Sequence, residues 1–291
     1  MSASCLDIVF CYQRSSAFQK CMLLALFLLF GQFAQAGEGK RTYTVGLVPQ
    51  YEASKLHSIW RPILDQLETA TGEVFEISGA PSIPQFEKEL VSGDFDFAYM
   101  NPYHFLLAHG GAGYTPLVRD HARKLFGILV VNAQSDITSP TQLDQKTIAF
   151  PAPNALGASL QMRQELVDLF GIEFTPRYVK THDAVYLNVL LNEAAAGGGV
   201  QRTLNQQSEQ YREHLRVIHT TQKVAPHPFA ALGSVPDAVR KRVLSAFLAM
   251  GDDAEGKALL AKIPILQVGE ASIDDYEPLR KLALERFYEA P

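Results

Sequence analysis

Apolar and polar positions along this chain alternate between two rhythms. Arg41–Val48 carries a β-rich, half-alternating run and reads as a strand. Between Lys55 and Thr71, the residues Leu56, Ile59, Trp60, Ile63, Leu64 and Leu67 recur at helical spacing, and Gly72 ends the run. Val74–Ile77 is a second strand. Ser82–Val91 is a second helix, with Ile83, Phe86, Leu90 and Val91 on one face, and Phe95–Met100 is a third strand. A short helix over Pro102–His109 follows, then strands over Tyr114–Val118 and Leu125–Val131.

The rhythm then restarts. A polar turn ends at Leu143, and Thr147–Phe150 is a strand that runs through Pro151–Ser159 into a helix ending at Phe170. Phe174–Val179 is a strand, Asp183–Ala195 a helix, Gly197–Gly199 a glycine run, and a helix starts at Thr203. Leu215–Thr220 is again a strand. After Pro226–Pro228, Phe229–Gly233 reads as a strand returning to the first block, and helices over Pro236–Met250 and Asp274–Tyr288 close the chain. Strands alternating with helices mark α/β layering. One α/β unit therefore interrupts another, and the chain crosses between them near Val131–Asn132 and near Ala225–His227. Two crossing strands make a hinge, and a hinge between two lobes puts a ligand in the cleft. The division expected is a discontinuous lobe 1 of residues 37–131 plus 226–291, and a lobe 2 of residues 132–225.

The first 36 residues stand outside this pattern. Arg14 and Lys20 precede the unbroken apolar run Met22–Phe30, and Ala34-Gln35-Ala36 has the small-x-small form that signal peptidase reads. Residues 1–36 are expected to be a signal peptide that sends a soluble chain to the periplasm, the competing reading being an N-terminal membrane anchor. Translation starting downstream of Met1, for instance at Met22, would shorten the leader. Lys20 before Cys21 does not fit a lipid-anchor signal. All three cysteines, Cys5, Cys11 and Cys21, lie in the leader, so the mature chain has no thiol for a disulfide, a metal or a nucleophile.

Charge narrows the partners. The leader holds two basic residues and one acid, Asp7, so its removal takes the formal charge from −5 to −6. A mildly acidic protein is a poor partner for nucleic acid or an anionic membrane, and an anion must be held by local dipoles. No Gly-x-Ser-x-Gly, His-Glu-x-x-His or paired His/Cys spacing points to an enzyme or a metal site, and no cofactor is expected.

Several segments, taken in order, resemble one family. They are Gly46–Pro49, Trp60-Arg61-Pro62, Gly93–Ala98, Asn101-Pro102-Tyr103, Phe150–Asn154, Thr181-His182 and Val235-Pro236. Across Tyr43–Phe287 the chain resembles the phosphate/phosphite/phosphonate-type (PhnD-like) periplasmic solute-binding proteins. The resemblance implies a type II periplasmic-binding fold, two α/β lobes joined by a two-strand hinge. It implies capture of a small-molecule anion by a monomer that makes and breaks no bond. The protein would serve an ABC permease or, alternatively, a membrane sensor kinase; the further alternatives are a receptor for a different small organic ligand and a periplasmic enzyme built on this scaffold.

The candidate ligand residues follow. Tyr51, after the first strand, and Tyr99, Asn101 and Tyr103, around the third strand's end, fall where open α/β sheets bind ligands. Ser54 offers a cap or a further donor. Asn154, Ala155, Leu156, Gly157 and Ser159 open a helix after a strand, where free backbone N–H groups and the helix dipole suit an anion. Phosphonate binders of the family carry a Ser-Thr-Ser-like run there, so Ala155-Leu156-Gly157 leaves fewer hydroxyl donors. The resemblance places a ligand-contacting histidine at His182, whose protonation would make affinity pH-dependent. His227 is a hinge or cleft candidate. The glycine run lacks the spacing of a nucleotide loop and suits a close approach of backbone to ligand or to the other lobe.

Overall fold

The computed structural model describes residues 40–290, so the expected leader and its three cysteines lie outside the described residues. The chain builds two sheets. The first takes β1 (Thr42–Leu47), β2 (Val74–Gly79), β3 (Phe97–Tyr99) and β4 (Thr115–Asp120), with helices α1 (Ala53–Thr71), α2 (Ile83–Ser92) and α3 (Pro102–Gly111) between them. The second takes β5 (Gly127–Asn132), β6 (Lys146–Phe150), β7 (Phe174–Tyr178), β8 (Ala196–Val200) and β9 (Leu215–Thr220). Its main helices are α4 (Gln161–Asp168) and α5 (His182–Leu190), and α6 (Gln201–Asn205) and α7 (Glu209–Glu213) lie between β8 and β9. The chain then returns to the first sheet as β10 (Phe229–Ala231) and, after α8 (Asp237–Met250) and α9 (Ala254–Leu260), as β11 (Val268–Glu270).

Strand order is β11-β4-β10-β3-β1-β2 in the first sheet and β7-β6-β8-β5-β9 in the second. In each sheet the core strands run parallel, β1 beside β2 and β3, and β6 beside β7 and β8. The returning strand β10 lies antiparallel between β3 and β4. The stripe predicted for α1 is the one it buries, through Trp60, Ile63, Leu64 and Leu67. Trp60 stacks on Phe229 at 5.9 Å between centroids, which fastens the returning strand to the first helix. The second sheet has its own core around Leu129, Val131, Ile148, Phe150 and Leu166, all fully buried.

Four expectations change. Val131 and Asn132 end β5, a strand flanked by β8 and β9, so they are not a crossing. The chain changes sheet earlier, between Asp120 and Gly127, through the polar run His121–Lys124. It returns between Thr220 and Phe229. Leu125 and Val224 on these two segments exchange both backbone hydrogen bonds at 2.9 Å, which makes the two-strand hinge. Second, the helix expected over Asp183–Ala195 stops at Leu190. Asn192 takes φ 57°, and Ala195 N–H then bonds Thr147 O at 2.9 Å to start β8. Third, the glycine run, expected to bring backbone close to a ligand or the other lobe, is that strand. A Cβ on Gly198 would lie 1.9 Å from the Ala158 carbonyl oxygen, so side-chain-free backbone lets a helical turn rest on the sheet. Fourth, Asp274–Tyr288 forms three short 3₁₀ turns, interrupted at Ala283 with φ 47°. Pro278 in the second turn lacks the N–H an α-helix would use. α9 and β11 had no counterpart in the sequence reading.

Candidate functional site

The carboxyl ends of the strands in both sheets converge with the hinge on one cavity of about 540 Å³. From lobe 1 come Gln50 and Tyr51, in the loop after β1, and Tyr99 and Asn101, at the end of β3. From lobe 2 come Ala155–Ala158 after β6, His182 after β7, and Arg202, Thr203 and Gln206 after β8. Arg123, Lys124, Phe126 and His227 arrive on the hinge segments.

The turn after β6 is a π-helical turn, Leu156–Leu160, that runs directly into α4. Such turns are rare and recur at functional sites. Close packing shapes this one. Gly157 stands against the hinge end of β5, where a Cβ on Gly127 would lie 1.8 Å from its carbonyl oxygen. The first N–H groups of a helical segment have no acceptor four residues back, and here the opening residues Leu156, Gly157 and Ala158 line the cavity.

His182 opens α5 behind the cap Thr181, whose hydroxyl accepts from Ala184 N. The imidazole is 8% exposed and lines the cavity, and its Nδ1 has no hydrogen-bond partner among the described residues. Burial pushes its pKa down to about 4, with Asp183 opposing weakly. His227 lies between two prolines and stacks on Tyr99 at 5.3 Å. Its Nε2 accepts from the Gln50 amide nitrogen at 2.8 Å, which puts the imidazole proton on Nδ1. Burial, then the nearby His104 and His182, push its pKa down to about 3. Both rings are therefore neutral at neutral pH.

Cations reach the cavity from lobe 2 and from the hinge. Arg202 spans the cleft: its guanidinium donates to Lys262 O at 2.5 Å, Ala261 O at 3.4 Å and the Tyr51 hydroxyl at 3.4 Å. Tyr51 in turn donates to Gln206 Oε1 at 3.0 Å. Arg123 pairs with Asp120 at 3.3 Å. Asp120 is 1% exposed and also accepts from the backbone N–H groups of Ala122, Leu266 and Gln267. That carboxylate anchors the start of the hinge to the loop before β11.

Of the twelve residues singled out from the sequence, eight line this cavity: Tyr51, Tyr99, Asn101, Ala155, Leu156, Gly157, His182 and His227. Two of these have their polar groups engaged elsewhere. Asn101 Oδ1 caps α3 by accepting from Tyr103 N and His104 N at 2.9 Å, and its Nδ2 donates to Asn154 O at 3.2 Å. The Tyr99 hydroxyl donates to Ile263 O at 3.1 Å, and burial raises its pKa. Ser54, in the first turn of α1, and Tyr103, Asn154 and Ser159 are not among the residues that line the cavity. Tyr103 points its ring at Tyr288 in the C-terminal segment, 5.7 Å away, because α3 turns it from the strand end. Asn154 does not cap the helix. Its Nδ2 donates to Glu87 Oε2 at 2.9 Å and Glu289 O at 2.6 Å, and its Oδ1 accepts from Glu289 N at 3.1 Å. Ser159 is fully buried, and its hydroxyl has no partner among the described residues.

Arg202, Gln206, Gln50, Arg123 and Phe126 went unrecognised in the sequence. Arg202 and Gln206 share one side of a short turn after the glycine run, at i and i+4. That spacing was a usable signal, but nothing local says the turn faces the other lobe. Among the described residues no group of three His, Cys, Asp or Glu could hold a metal ion, and no helix is long and apolar enough to cross a membrane.

Known proteins share this fold. The binding-protein component of an ABC phosphonate transporter from Pseudomonas aeruginosa superposes with a TM-score of 0.73 at 17% identity, covering 86% of this chain and 88% of that one. PhnD1 from Prochlorococcus marinus, solved with methylphosphonate, gives 0.76 at 14%, covering 84% and 98%. A Xanthomonas citri protein solved with ATP gives 0.70 at 17%, covering 85% and 99%. These likenesses establish the type II periplasmic-binding fold. Residues 45–276 match the family described as "ABC transporter, phosphonate, periplasmic substrate-binding protein", so the chain belongs to the periplasmic phosphonate-binding components of ABC transporters.

Proposed function

We propose that this protein is an exported receptor that traps a small phosphate- or phosphonate-like oxyanion between its lobes and delivers it to an ABC permease. Export would use the leader ending at Ala36. The lobes would be residues 42–120 with 229–290, and residues 127–220, moving about the paired segments 121–126 and 221–228. The protein is read as a carrier that leaves its ligand unchanged.

One observation carries the reading. His182, whose buried Nδ1 has no hydrogen-bond partner among the described residues, and the opening residues Leu156–Ala158 of the π-turn line the same cavity, with Arg202 and Lys124 also on its walls. The turn's N–H groups donate to the anion's oxygens. The imidazole donates from Nδ1 in the matching tautomer, or from both nitrogens once the bound anion has raised its pKa. Each such bond in a water-poor site is worth about 1.5–3 kcal/mol, and four or five of them, less the cost of closure, reach micromolar affinity.

Thermal unfolding of the mature chain with phosphate, methylphosphonate, phosphite, sulfate or buffer tests this. A ligand at about 100 times its Kd stabilises by about 2.7 kcal/mol, several degrees for a chain of this size. At least one oxyanion should do so, and His182→Ala should reduce the shift. If no oxyanion moves the transition, the reading fails.

A further inference from the structure

The cavity is much larger than the anion its polar groups would hold. Its volume of about 540 Å³ has room for about 18 waters at ~30 Å³ each. A methylphosphonate ion has few non-hydrogen atoms and would fill only about a fifth of that space at ordinary packing density.

The lobes already touch around this space. The Tyr51 hydroxyl bonds Gln206, Arg202 bonds Lys262 O, and Asn101 bonds Asn154 O, each link joining lobe 1 to lobe 2. On one wall Ile83 from lobe 1 packs in a single apolar cluster with Ala155 and Ala158 from lobe 2, with Val200 beside them. Phe126 and Ile265 extend the apolar lining at the hinge. Water over such walls finds few polar partners, and an apolar group that displaces it gains about 25 cal/mol per Å² buried.

We infer that the ligand is an organic phosphonate whose oxyanion meets His182 and the π-turn and whose aryl or branched alkyl body covers the wall of Ile83, Phe126 and Ile265. This rests on the capture reading above and narrows it to a substrate class. Small inorganic anions would satisfy the polar end and leave the apolar walls wet.

Isothermal titration of the mature protein with phosphate, methylphosphonate and phenylphosphonate tests it. Phenylphosphonate should bind at least tenfold more tightly than methylphosphonate, and with a more negative heat-capacity change. Phe126→Ala should cut that ratio at least threefold. Equal or tighter binding of methylphosphonate or phosphate would overturn the inference and leave the capture reading standing. Heat from none of the three would overturn both. A ratio undiminished in Phe126→Ala would overturn the placing of the body on this wall.

Discussion

Acidification should unfold the ligand-free protein in a way that His182 can be shown to cause. Its imidazole is buried and held neutral, with its pKa pushed from an ordinary 6.5 to about 4. In the unfolded chain the ring titrates normally. Below pH 6.5 the unfolded state therefore binds a proton that the native state refuses, and stability falls as pH falls, levelling off below about pH 4. The full effect is about 3 kcal/mol at ~1.4 kcal/mol per pH unit. Between pH 7.5 and pH 5 roughly 2 kcal/mol of it is realised, and His227, pushed further down by the same burial, adds a similar amount. These are large fractions of the ~5–15 kcal/mol that stabilises an ordinary domain. Urea titrations of wild type and His182→Gln at pH 7.5, 6.5, 5.5 and 5.0 would measure it. Carboxylates contribute alike to both proteins, so the difference isolates the ring. The variant should lose about 2 kcal/mol less than wild type over that range. Parallel losses would refute the claim that His182 is buried and neutral. Ligand should reverse the sign: a bound oxyanion raises the ring's pKa, so affinity should rise as pH falls from 7.5 to 5.5.

Three further outcomes follow from particular contacts. Arg202→Ala removes the links to Tyr51, Ala261 and Lys262; small-angle scattering should show a more extended chain, and oxyanion affinity should fall about tenfold, ~1.4 kcal/mol. Gly198→Ala drives a Cβ into the Ala158 carbonyl at 1.9 Å; denaturant titration should show a loss of about 3 kcal/mol or more, or the chain should fail to fold. Tyr103→Phe, whose ring meets Tyr288 and not the cavity, should leave the Kd for any oxyanion within twofold in calorimetry.

Local pattern alone was enough for much of this protein. The periodicity of α1 named the residues it buries, because a helix that packs on a sheet must present one apolar stripe, and Trp60, Ile63, Leu64 and Leu67 are that stripe. Strand ends followed by Tyr51, Asn101, Ala155 and His182 marked one functional edge, because parallel sheets gather their loops there. The return of Phe229–Ala231 to the first sheet was also visible as a strand after a proline pair. What the pattern could not carry was direction and partnership. The glycines of β8 carry no strand signal, and only the π-turn resting on them shows why side chains are absent there. The crossing hides at polar His121–Lys124, because a strand's apolar run does not say which sheet buries it. Tyr103 and Asn154 sit beside cavity residues in the chain but turn toward Tyr288 and Glu289, whereas Arg202 and Gln206 reach the cavity from a turn whose spacing puts them on one side without saying what that side faces. Spacing along a chain sets which side chains share a face. Only the packing of distant segments sets what that face meets.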